Sequence, residues 1–462
     1  MTALMWFRRD LRLHDNPALG RAAESGEVLG LFVLDPALVA RSGAARLSWL
    51  AASLRSLNDS MAGRLLVLRG APAEVVPAIT AQVGASAVHM AADYGPYGSR
   101  RDAAVADRLT ADGRALVPTG SAYAIAPGRV RKADGTGYKV FTPFFRGWSE
   151  HGWRAPVDSA GMVRWRTPDS SCAASWSPPA GDAAGLPGLA LPGLDLPLDA
   201  GETAARCRWQ EFRATSLPSY DSTRDRPDLA GTSMLSSHLR WGEIHPRTLL
   251  ADLDDSSGAQ SFRRQLAFRD FYADLLARNP ASATTSMDPA FDSAILYRSG
   301  SAADADFERW TRGETGYPFV DAGMRQLQHT GWMHNRVRMV VASFLVKDLL
   351  IPWWRGADWF MRCLTDGDLA NNSQGWQWVA GCGTDAAPYF RIFNPVTQGR
   401  KFDPAGDYVR RYLPELSQIT GSAVHEPWRL PTPPADYPGP MVDHRLAREE
   451  ALSRYAALRA AT

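Results

Sequence analysis

Short apolar runs alternate with amphipathic segments through the first 130 residues of the chain. Five of these runs have the length of buried strands: 4–7, 28–34, 65–68, 87–91 and 115–117. Segments with helical spacing lie between them, such as 44–61 and 73–83. This alternation predicts a parallel sheet with helices on both faces. No GxGxxG motif follows the first run, so the pattern contains no dinucleotide fingerprint.

The chain changes character after about residue 150. The stretch SCAASWSPPAGDAAGLPGLALPGLDLPLDAG is rich in Pro, Gly, Ala and Ser, so we expect an extended connector there. Beyond residue 201 strand signals vanish, and helical periodicity appears at 261–278, 319–329, 332–350 and 358–364. The sequence therefore predicts three parts: an α/β domain over 1–130, a linker over 131–200 and an all-α domain over 201–462.

Composition and charge limit the class of protein. The net charge of +2 excludes a broadly basic nucleic-acid-binding surface but not a local basic patch. No run approaches the roughly 20 apolar residues that cross a bilayer, and the early charges do not fit a secretory signal. We therefore expect a cytoplasmic protein with no membrane segment. Cys172, Cys207, Cys363 and Cys382 stand far apart, which predicts reduced thiols rather than a zinc or disulfide site.

A helix over 332–350 would carry an unusual polar face. Asn335, Arg338, Met339 and Ala342 lie at positions i, i+3, i+4 and i+7, so they share one side of that helix. An amide, a guanidinium and a thioether together are unlike a plain core face, although a solvated face has the same composition.

Two carboxylates, Asp366 and Asp368, lie in a predicted turn between helical segments. Close to Arg338, they would form an ion pair and offer further hydrogen-bond acceptors. A divalent-cation site and a solvated acidic loop are the alternatives. No third carboxylate lies nearby in the sequence, so we predict no metal site.

Segments from both ends of the chain resemble the cryptochrome/photolyase family. WFRRDLRLHDNPAL matches the family's opening segment. TGYPFVDAGMRQL, TGWMHNRVRMVVASFLVKDLL, DGDLANNSQGWQWVAGCGTDAAPYFRIFNPVTQGRKFD and HEPW resemble its C-terminal half, most closely in class I cyclobutane-dimer photolyases. The resemblance implies a Rossmann-like antenna domain, a long linker and a helical domain that encloses FAD. It also implies that light-driven electron transfer from reduced FAD splits cyclobutane pyrimidine dimers, which are flipped out of UV-damaged DNA.

By this resemblance, eleven residues would bind FAD. They are Tyr220, the phosphate-loop residues Thr232, Ser233, Met234, Leu235 and Ser236, and the ring-side residues Asn335, Arg338, Asp366, Asp368 and Asn372. Asn372 would face flavin N5, where a neutral amide suits a reduced flavin. Arg338 and Asp366 would form the family's ion pair. Without the resemblance, the segment TSMLSS would indicate only a helix cap.

Nine positions match residues that hold the lesion in the family. They are Arg224, Gln265, Phe268, Asn335, Arg336, Met339, Trp378, Arg391 and Lys401. Trp378 would stack on the dimer, and the four basic residues would bind phosphates. Relatives that repair (6-4) photoproducts have histidines at the positions of Asn335 and Met339. Their absence here favours the cyclobutane dimer.

Two positions depart from the family pattern. Gln265 and Phe268 stand where class I enzymes usually have a glutamate and a tryptophan. Gln265 can still bond to pyrimidine edges, and Phe268 retains a π face with less area. We expect less efficient repair or a shifted substrate preference.

The flavin's electron supply is a third departure. Trp376 and Trp353 match the inner and middle members of the family's three-tryptophan relay, but the outer tryptophan is not obvious. Tyr297 lies near its position, and Trp354 and Trp359 are alternatives.

The second chromophore and the biological role also have alternatives. No glutamate lies near Ser99, which favours 8-hydroxy-5-deazaflavin as the antenna over methenyltetrahydrofolate, and an empty site is the third alternative. A cryptochrome-like photoreceptor without efficient repair is the competing function. We expect a monomer.

Overall fold

The computed structural model describes residues 2–157, 161, 163–168, 196 and 198–461. These residues form two compact units. The sheet unit contains the described residues up to 168 together with Leu198–Pro218 and Ser233–Pro280. The helical unit contains residue 196, Ser219–Thr232 and 281–461. Most of the predicted Pro/Gly-rich connector lies outside the described residues.

The sheet unit is built on a parallel sheet. Its strands are β1 (Thr2–Phe7), β2 (Glu27–Leu34), β3 (Leu65–Arg69), β4 (Ala87–Ala92), β5 (Ala115–Ser121) and the two-residue β6 (Arg164–Trp165). The strand order is β3-β2-β1-β4-β5, and β6 pairs with the start of β2. Leu4 of β1 lies opposite both Leu29 and Val88. The order reverses between β1 and β4, so the crevice at their carboxyl ends is the topological switch point.

The helices of this unit mostly begin at prolines. They are α1 (Pro17–Ala23), α2 (Pro36–Val39), α3 (Ala44–Ser60), α4 (Pro72–Gln82), α5 (Pro96–Ala111), α6 (Phe141–His151), α7 (Glu202–Thr215), α9 (Ser236–Trp241), α10 (Pro246–Ala251) and α11 (Ser257–Arg278). Proline suits the first helical position because its missing N–H would have no partner there. In α1, Asn16 completes the cap by accepting a hydrogen bond from the Leu19 amide at 3.2 Å.

The helical unit begins with the one-turn α8 (Tyr220–Thr223). Its later helices are α12 (Ser301–Arg312), α13 (Pro318–Thr330), α14 (Asn335–Ser343), α15 (Trp353–Cys363), α16 (Leu369–Ala380), α17 (Pro395–Phe402), α18 (Asp407–Tyr412) and α19 (His444–Ala461). A π-helical turn, Phe344–Asp348, continues α14. Short 3₁₀ segments lie at Leu217–Ser219, Pro280–Ala283, Pro289–Asp292, Pro414–Leu416, Gly421–His425 and Pro427–Arg429.

Two helix starts differ from the sequence prediction. The predicted helix over 332–350 begins only at Asn335, because Gly331 ends α13 in the left-handed conformation (φ +66°) and His334 caps α14 through its Nδ1. The predicted helix over 358–364 begins earlier, at Trp353, directly after Pro352. Both changes follow local capping rather than apolar spacing.

The predicted fold class is confirmed. The five long strands coincide with the five apolar runs, and the described residues beyond 201 contain no strand. The division into compact units differs from the predicted boundaries at 130 and 200, since α7 and α9–α11 belong to the sheet unit. The domain ranges themselves stay a prediction. None of the described helices is both long and apolar enough to span a membrane.

Candidate functional site

An ion pair joins α14 to the turn between α15 and α16. Arg338 Nη2 donates to Asp366 Oδ2 at 2.7 Å, and Arg338 Nε donates to the Met333 carbonyl at 2.8 Å. Thr365 supports the turn, because its amide donates to the Gly331 carbonyl at 2.9 Å. The pair that the sequence suggested is therefore present, and the surrounding backbone holds both partners in place.

The second carboxylate oxygen of Asp366 is unused. Asp366 is 7% exposed, and its buried Oδ1 has no hydrogen-bond partner among the described residues. A buried acceptor without a donor requires a physical reason. The isoalloxazine ring of FAD carries an N–H donor that would satisfy it, so the residues around Asp366 fit FAD.

Two further predicted FAD residues lie on α16. Asp368 caps the helix by accepting from the Asn371 amide at 3.1 Å. Asn372, one residue further along the helix, donates its Nδ2 to the Ala357 carbonyl at 2.8 Å. The Asn372 amide is thereby oriented, and its Oδ1 accepts no hydrogen bond within the described part of the chain.

The predicted phosphate loop has a backbone suited to anions. Thr232 ends a segment of the helical unit, and the loop continues into the sheet unit from Ser233. Met234 has a φ of +54°, and Leu235 follows with φ −78° and ψ 1°. A left-handed residue next to a right-handed one turns successive N–H groups toward one side, forming an anion-binding nest. Ser236 then begins α9.

Tyr220 and Arg224 occupy α8 and its end. Tyr220 is buried, and burial raises the pKa of its hydroxyl. The Arg224 guanidinium lies 5.8 Å from the centre of the Tyr220 ring. Nearby in sequence space to the predicted face, His334 has its Nε2 buried without a partner among the described residues, and burial lowers its pKa to about 4.

Aromatic side chains connect α15 and α16. Trp376 is buried against Phe360, with ring centres 5.0 Å apart, and it lies so close to Gly356 that a Cβ there would be 2.2 Å from the ring. Trp353 is fully buried and donates its Nε1 to Ser286 Oγ at 3.0 Å.

A second group of rings continues from Trp353. The Trp353 and Trp354 ring centres are 6.0 Å apart, and Trp354 meets Tyr297 edge-on at 5.4 Å. The Tyr297 hydroxyl is buried with no partner among the described residues, and burial raises its pKa.

An open cavity of about 540 Å³ lies in the helical unit. This volume falls in the usual range for a ligand pocket. Its lining includes five of the predicted lesion-binding residues: Arg336, Met339, Trp378, Arg391 and Lys401. Asn335 and Arg224 are not part of the lining. Asn335 is exposed at the start of α14, and its Nδ2 lies 4.0 Å from Met339 Sδ.

The cationic side chains of this cavity have different partners. Arg336 pairs with Asp225 at 2.9 Å, and Arg226 pairs with Asp228. Among the described residues, no carboxylate pairs with Arg391 or Lys401. Those two cations are therefore available to a bound anion, while Arg336 is partly neutralised.

Sequence reasoning missed several lining residues. They are Ser222, Asp225, Arg226, Phe393, Gln398 and Phe402. The RDR sequence at 224–226 was a signal for charge next to Arg224. The pairing of Asp225 with Arg336 was not, because the two residues are more than 100 positions apart.

Gln265 and Phe268 belong to the sheet unit, on α11. Phe268 stacks on Phe141 of α6, with ring centres 3.4 Å apart and planes 7° apart. Gln265 donates to the Ser261 carbonyl at 3.4 Å. The ring of Phe268 is therefore packed within its own unit.

Charged residues fill the switch point of the sheet. Arg8 Nη1 and Arg101 Nη2 both contact Asp102 Oδ1, at 2.5 and 2.8 Å, and Arg101 also reaches Asp93 at 3.3 Å. Both guanidiniums lie over the Trp6 ring, 4.6 and 5.1 Å from its centre. We call these five residues the edge cluster.

The cavity beside the edge cluster has a volume of about 10 Å³. This is room for roughly one water molecule, whereas ligand pockets need about 300 Å³ or more. A tricyclic or folate chromophore does not fit at this edge in the arrangement seen.

No group of three His, Cys, Asp or Glu side chains suited to a metal occurs among the described residues. Cys207, Cys363 and Cys382 are free thiols, and Cys172 lies outside the described residues. Burial raises the pKa of both Cys363 and Cys382 to about 12.

Comparison with protein families gives two matches along the chain. Residues 3–160 match the family described as DNA photolyase, and residues 262–457 match the FAD binding domain of DNA photolyase. A deoxyribodipyrimidine photo-lyase of Streptomyces griseus is 42% identical over 469 residues, covering 96% of this chain and 97% of the relative. The enzyme of that name from Escherichia coli is 37% identical, covering 99% of both chains.

Solved structures agree over the whole length. A class III photolyase from Agrobacterium tumefaciens has a TM-score of 0.87 at 36% identity, covering 99% of this chain and 98% of that one. A cryptochrome from Synechocystis has a TM-score of 0.85 at 27% identity, covering 98% of both chains. An archaeal photolyase from Sulfolobus tokodaii, described with two FAD molecules, has a TM-score of 0.83 at 27% identity, covering 99% of this chain and all of that one.

Proposed function

This chain belongs to the DNA photolyase family, and from that membership we propose that the cavity of its helical unit receives a pyrimidine dimer flipped out of UV-damaged DNA. Its activity is that of a deoxyribodipyrimidine photo-lyase, and FAD is its cofactor. The observation that carries the proposal is the lining of that cavity, where Trp378 lies beside two cations without acidic partners.

Each part of the cavity lining suits a damaged nucleotide pair. Trp378 offers a face for stacking, which contributes about 1–3 kcal/mol per base. Met339 adds a flexible, apolar contact. Arg391 and Lys401 lie where flanking phosphates can bind without competition from an acid. Gln265 and Phe268 stay predicted lesion contacts.

The flavin would be held by residues that already form a hydrogen-bonded frame. Arg338 and Asp366 would lie beside the ring, Asn372 would offer its amide to N5, and the backbone around Met234 would bind the pyrophosphate. Bound reduced FAD supplies, after light absorption, the electron that splits the cyclobutane ring. The protein's own part is to exclude water, orient the lesion and keep the Arg338–Asp366 pair in place.

Electrons to reduce the flavin would pass along the buried rings. We propose Trp376 and Trp353 as inner members and Trp354 as the outer one. An oxidised tyrosine is stabilised by loss of its phenolic proton, and Tyr297 has no acceptor for that proton among the described residues. Trp354 is half-buried and lies 6.0 Å from Trp353, centre to centre.

The relay is tested by Trp376→Phe. We expect slow photoreduction of oxidised FAD, followed by its absorbance, together with normal dimer splitting by enzyme reduced chemically. Trp359→Phe, a tryptophan on α15 outside the proposed relay, is the matched control. Photoreduction at the normal rate in Trp376→Phe would refute the relay.

The lesion proposal is tested with purified, reduced protein and DNA that contains cyclobutane dimers. We expect dimers to disappear under blue light and to persist in the dark. Unchanged dimers in the light, with reduced FAD bound, would favour the photoreceptor alternative. That alternative has one structural observation in its favour, the likeness to a cryptochrome.

The remaining predictions concern the antenna, class and location. We propose that 8-hydroxy-5-deazaflavin binds at the switch point only if the edge cluster opens, and the absorption spectrum of the purified protein tests this. A protein with FAD absorbance alone would favour the empty site. Membership of class I, a monomeric state and a cytoplasmic location are proposals on the same basis.

A further inference from the structure

The segment between α16 and α17 brings one cation to the cavity. Arg391 lines the cavity, and the preceding Phe390 is 68% exposed. We call residues 384–393 the rim segment. Its backbone is tied to the cavity at Ala387, whose amide donates to the Trp378 carbonyl at 3.2 Å. Displacement of the rim segment would therefore displace Arg391.

Tyr389 anchors the rim segment on its inner side. The ring is buried and stacks on Tyr455 of α19, with centres 4.1 Å apart and planes 13° apart. Lys347 lies on the π-helical turn, and its Nζ is 5.0 Å from the centre of the same ring. Tyr389 is therefore in contact with an aromatic ring and a cation at once, and both contacts are favourable.

Lys347 makes a second contact with the same segment. Its Nζ donates to the Arg391 carbonyl at 3.3 Å. Lys347 is fully buried, and burial lowers its pKa to about 8, so the ammonium is mostly protonated at neutral pH. A buried ammonium requires nearby acceptors, and the rim segment supplies one of them.

The C-terminal helix is attached beside this point. His444, the first residue of α19, contacts Asp348 through Nδ1 at 2.5 Å, and Asp348 follows Lys347 in the chain. The π-helical turn thus touches the rim segment through one residue and the C-terminal helix through the next. Irregular turns of this kind are frequent near functional sites.

We propose that Tyr455 and Lys347 are positioning residues that hold the rim segment so that Arg391 faces the lesion cavity. This inference rests on the proposed function of the cavity. It assigns the C-terminal helix a part in DNA binding, although α19 itself contributes no residue to the cavity lining. The effect of either residue must act through Arg391.

The test is a double-mutant cycle on the FAD-loaded full chain. Tyr455→Ala should weaken binding of dimer-containing DNA by roughly fivefold to tenfold, and Tyr455→Phe should retain wild-type affinity because the ring stacking remains. In an Arg391→Ala background, Tyr455→Ala should cause no further loss. Equal losses in both backgrounds, or wild-type affinity in Tyr455→Ala, would overturn the proposal.

Leu452→Ala is the matched control on the same helix, since Leu452 packs on the helical core. It should show the same small loss in both Arg391 backgrounds. If Tyr455→Ala does not retain FAD, Lys347→Met takes its place in the same cycle, with the same expected non-additivity. Additive losses there would overturn the proposal as well.

A second measurement separates this inference from the proposed function. If Arg391→Ala leaves DNA affinity unchanged, the cavity proposal loses its support. Hydrogen exchange of residues 384–393 then decides the positioning role by itself. Faster exchange in Tyr455→Ala than in Leu452→Ala supports it, and equal exchange in the two variants contradicts it.

Discussion

The two units both place arginines near a tryptophan, with opposite results. At the switch point of the sheet, Arg8 and Arg101 share Asp102 over the Trp6 ring, and the adjoining cavity measures about 10 Å³. In the helical unit, Arg391 and Lys401 lie on the wall of a 540 Å³ cavity that also contains Trp378.

The difference lies in the supply of carboxylates. Acids of the sheet unit satisfy its cations and close the crevice around them. The described acids of the helical unit pair with Arg226 and Arg336 but leave the other two cations of the cavity without partners. A cation that has no acid within the fold is the one that a phosphate can bind. Paired charge therefore marks structure here, and unpaired charge on a cavity wall marks binding.

The largest effect is expected where a pair itself supports a cofactor. Arg338→Ala leaves the buried Asp366 carboxylate without its cation, and breaking such a pair typically costs about 3–5 kcal/mol. We expect the purified variant to lose most of its FAD, measured by absorbance. Arg8→Ala, which breaks a pair in the edge cluster, is the control and should retain FAD. Full FAD content in Arg338→Ala would refute the assignment.

Removal of the stacking face should be next in size. Trp378→Ala should weaken binding of dimer-containing DNA by about 1–3 kcal/mol and leave undamaged DNA almost unaffected. Competition binding with the two DNAs measures the difference. Equal weakening for both would show that Trp378 does not contact the lesion. Trp332→Ala is a comparison variant, since this half-buried tryptophan is not among the cavity residues.

Charge removal should discriminate paired from unpaired cations. Arg391→Ala and Lys401→Ala should each lower the slope of log affinity against log salt by about 0.9. Arg336→Ala should lower it less, because Asp225 already neutralises Arg336. Asp225→Asn is the reverse test, and it should raise DNA affinity by releasing that arginine. Equal slopes in all three alanine variants would contradict the distinction.

The smallest effect concerns a buried acid of the sheet unit. Asp270 accepts from the Ile125 amide and from Trp148 Nε1, both at 2.9 Å, and burial raises its pKa to about 6. A raised carboxyl pKa stabilises the fold below the unfolded pKa near 3.8, and this contribution is lost as pH rises through about 6.

Asp270→Asn removes that titration. Relative to wild type, the variant should gain about 1–3 kcal/mol between pH 4 and pH 8 in the free energy of unfolding, measured by denaturant titration. Asp274→Asn is the control on the same helix, since Asp274 is paired with Arg278. A gain of the same size in Asp274→Asn would show that the raised pKa of Asp270 is not the cause.

Much of the fold follows from local pattern. Strands such as β1 and β2 are buried on both faces, so they appear as continuous apolar runs that composition alone reveals. The helix starts were harder, because Gly331 and His334 interrupt a segment whose apolar spacing continues through it. Capping depends on one or two residues, and periodicity averages over many.

The site required the resemblance as well as the residues. Arg338 and Asp366 are 28 positions apart, and their pairing was predicted only because a family pattern joins them. Nothing local indicates that Asp225 neutralises Arg336, or that Tyr455 meets Tyr389. Long-range pairings depend on how helices pack, and that information is spread over the whole core.

The most direct measurement compares the two regions in one reaction. Enzyme with chemically reduced FAD is exposed to blue light with dimer-containing DNA, and dimer loss is followed in two double variants. Arg391→Ala with Lys401→Ala, in the open cavity, should slow repair strongly at subsaturating DNA. Arg8→Gln with Asp102→Asn, in the edge cluster, should repair at the wild-type rate. The opposite pattern, with the edge variant impaired and the cavity variant normal, would contradict the account.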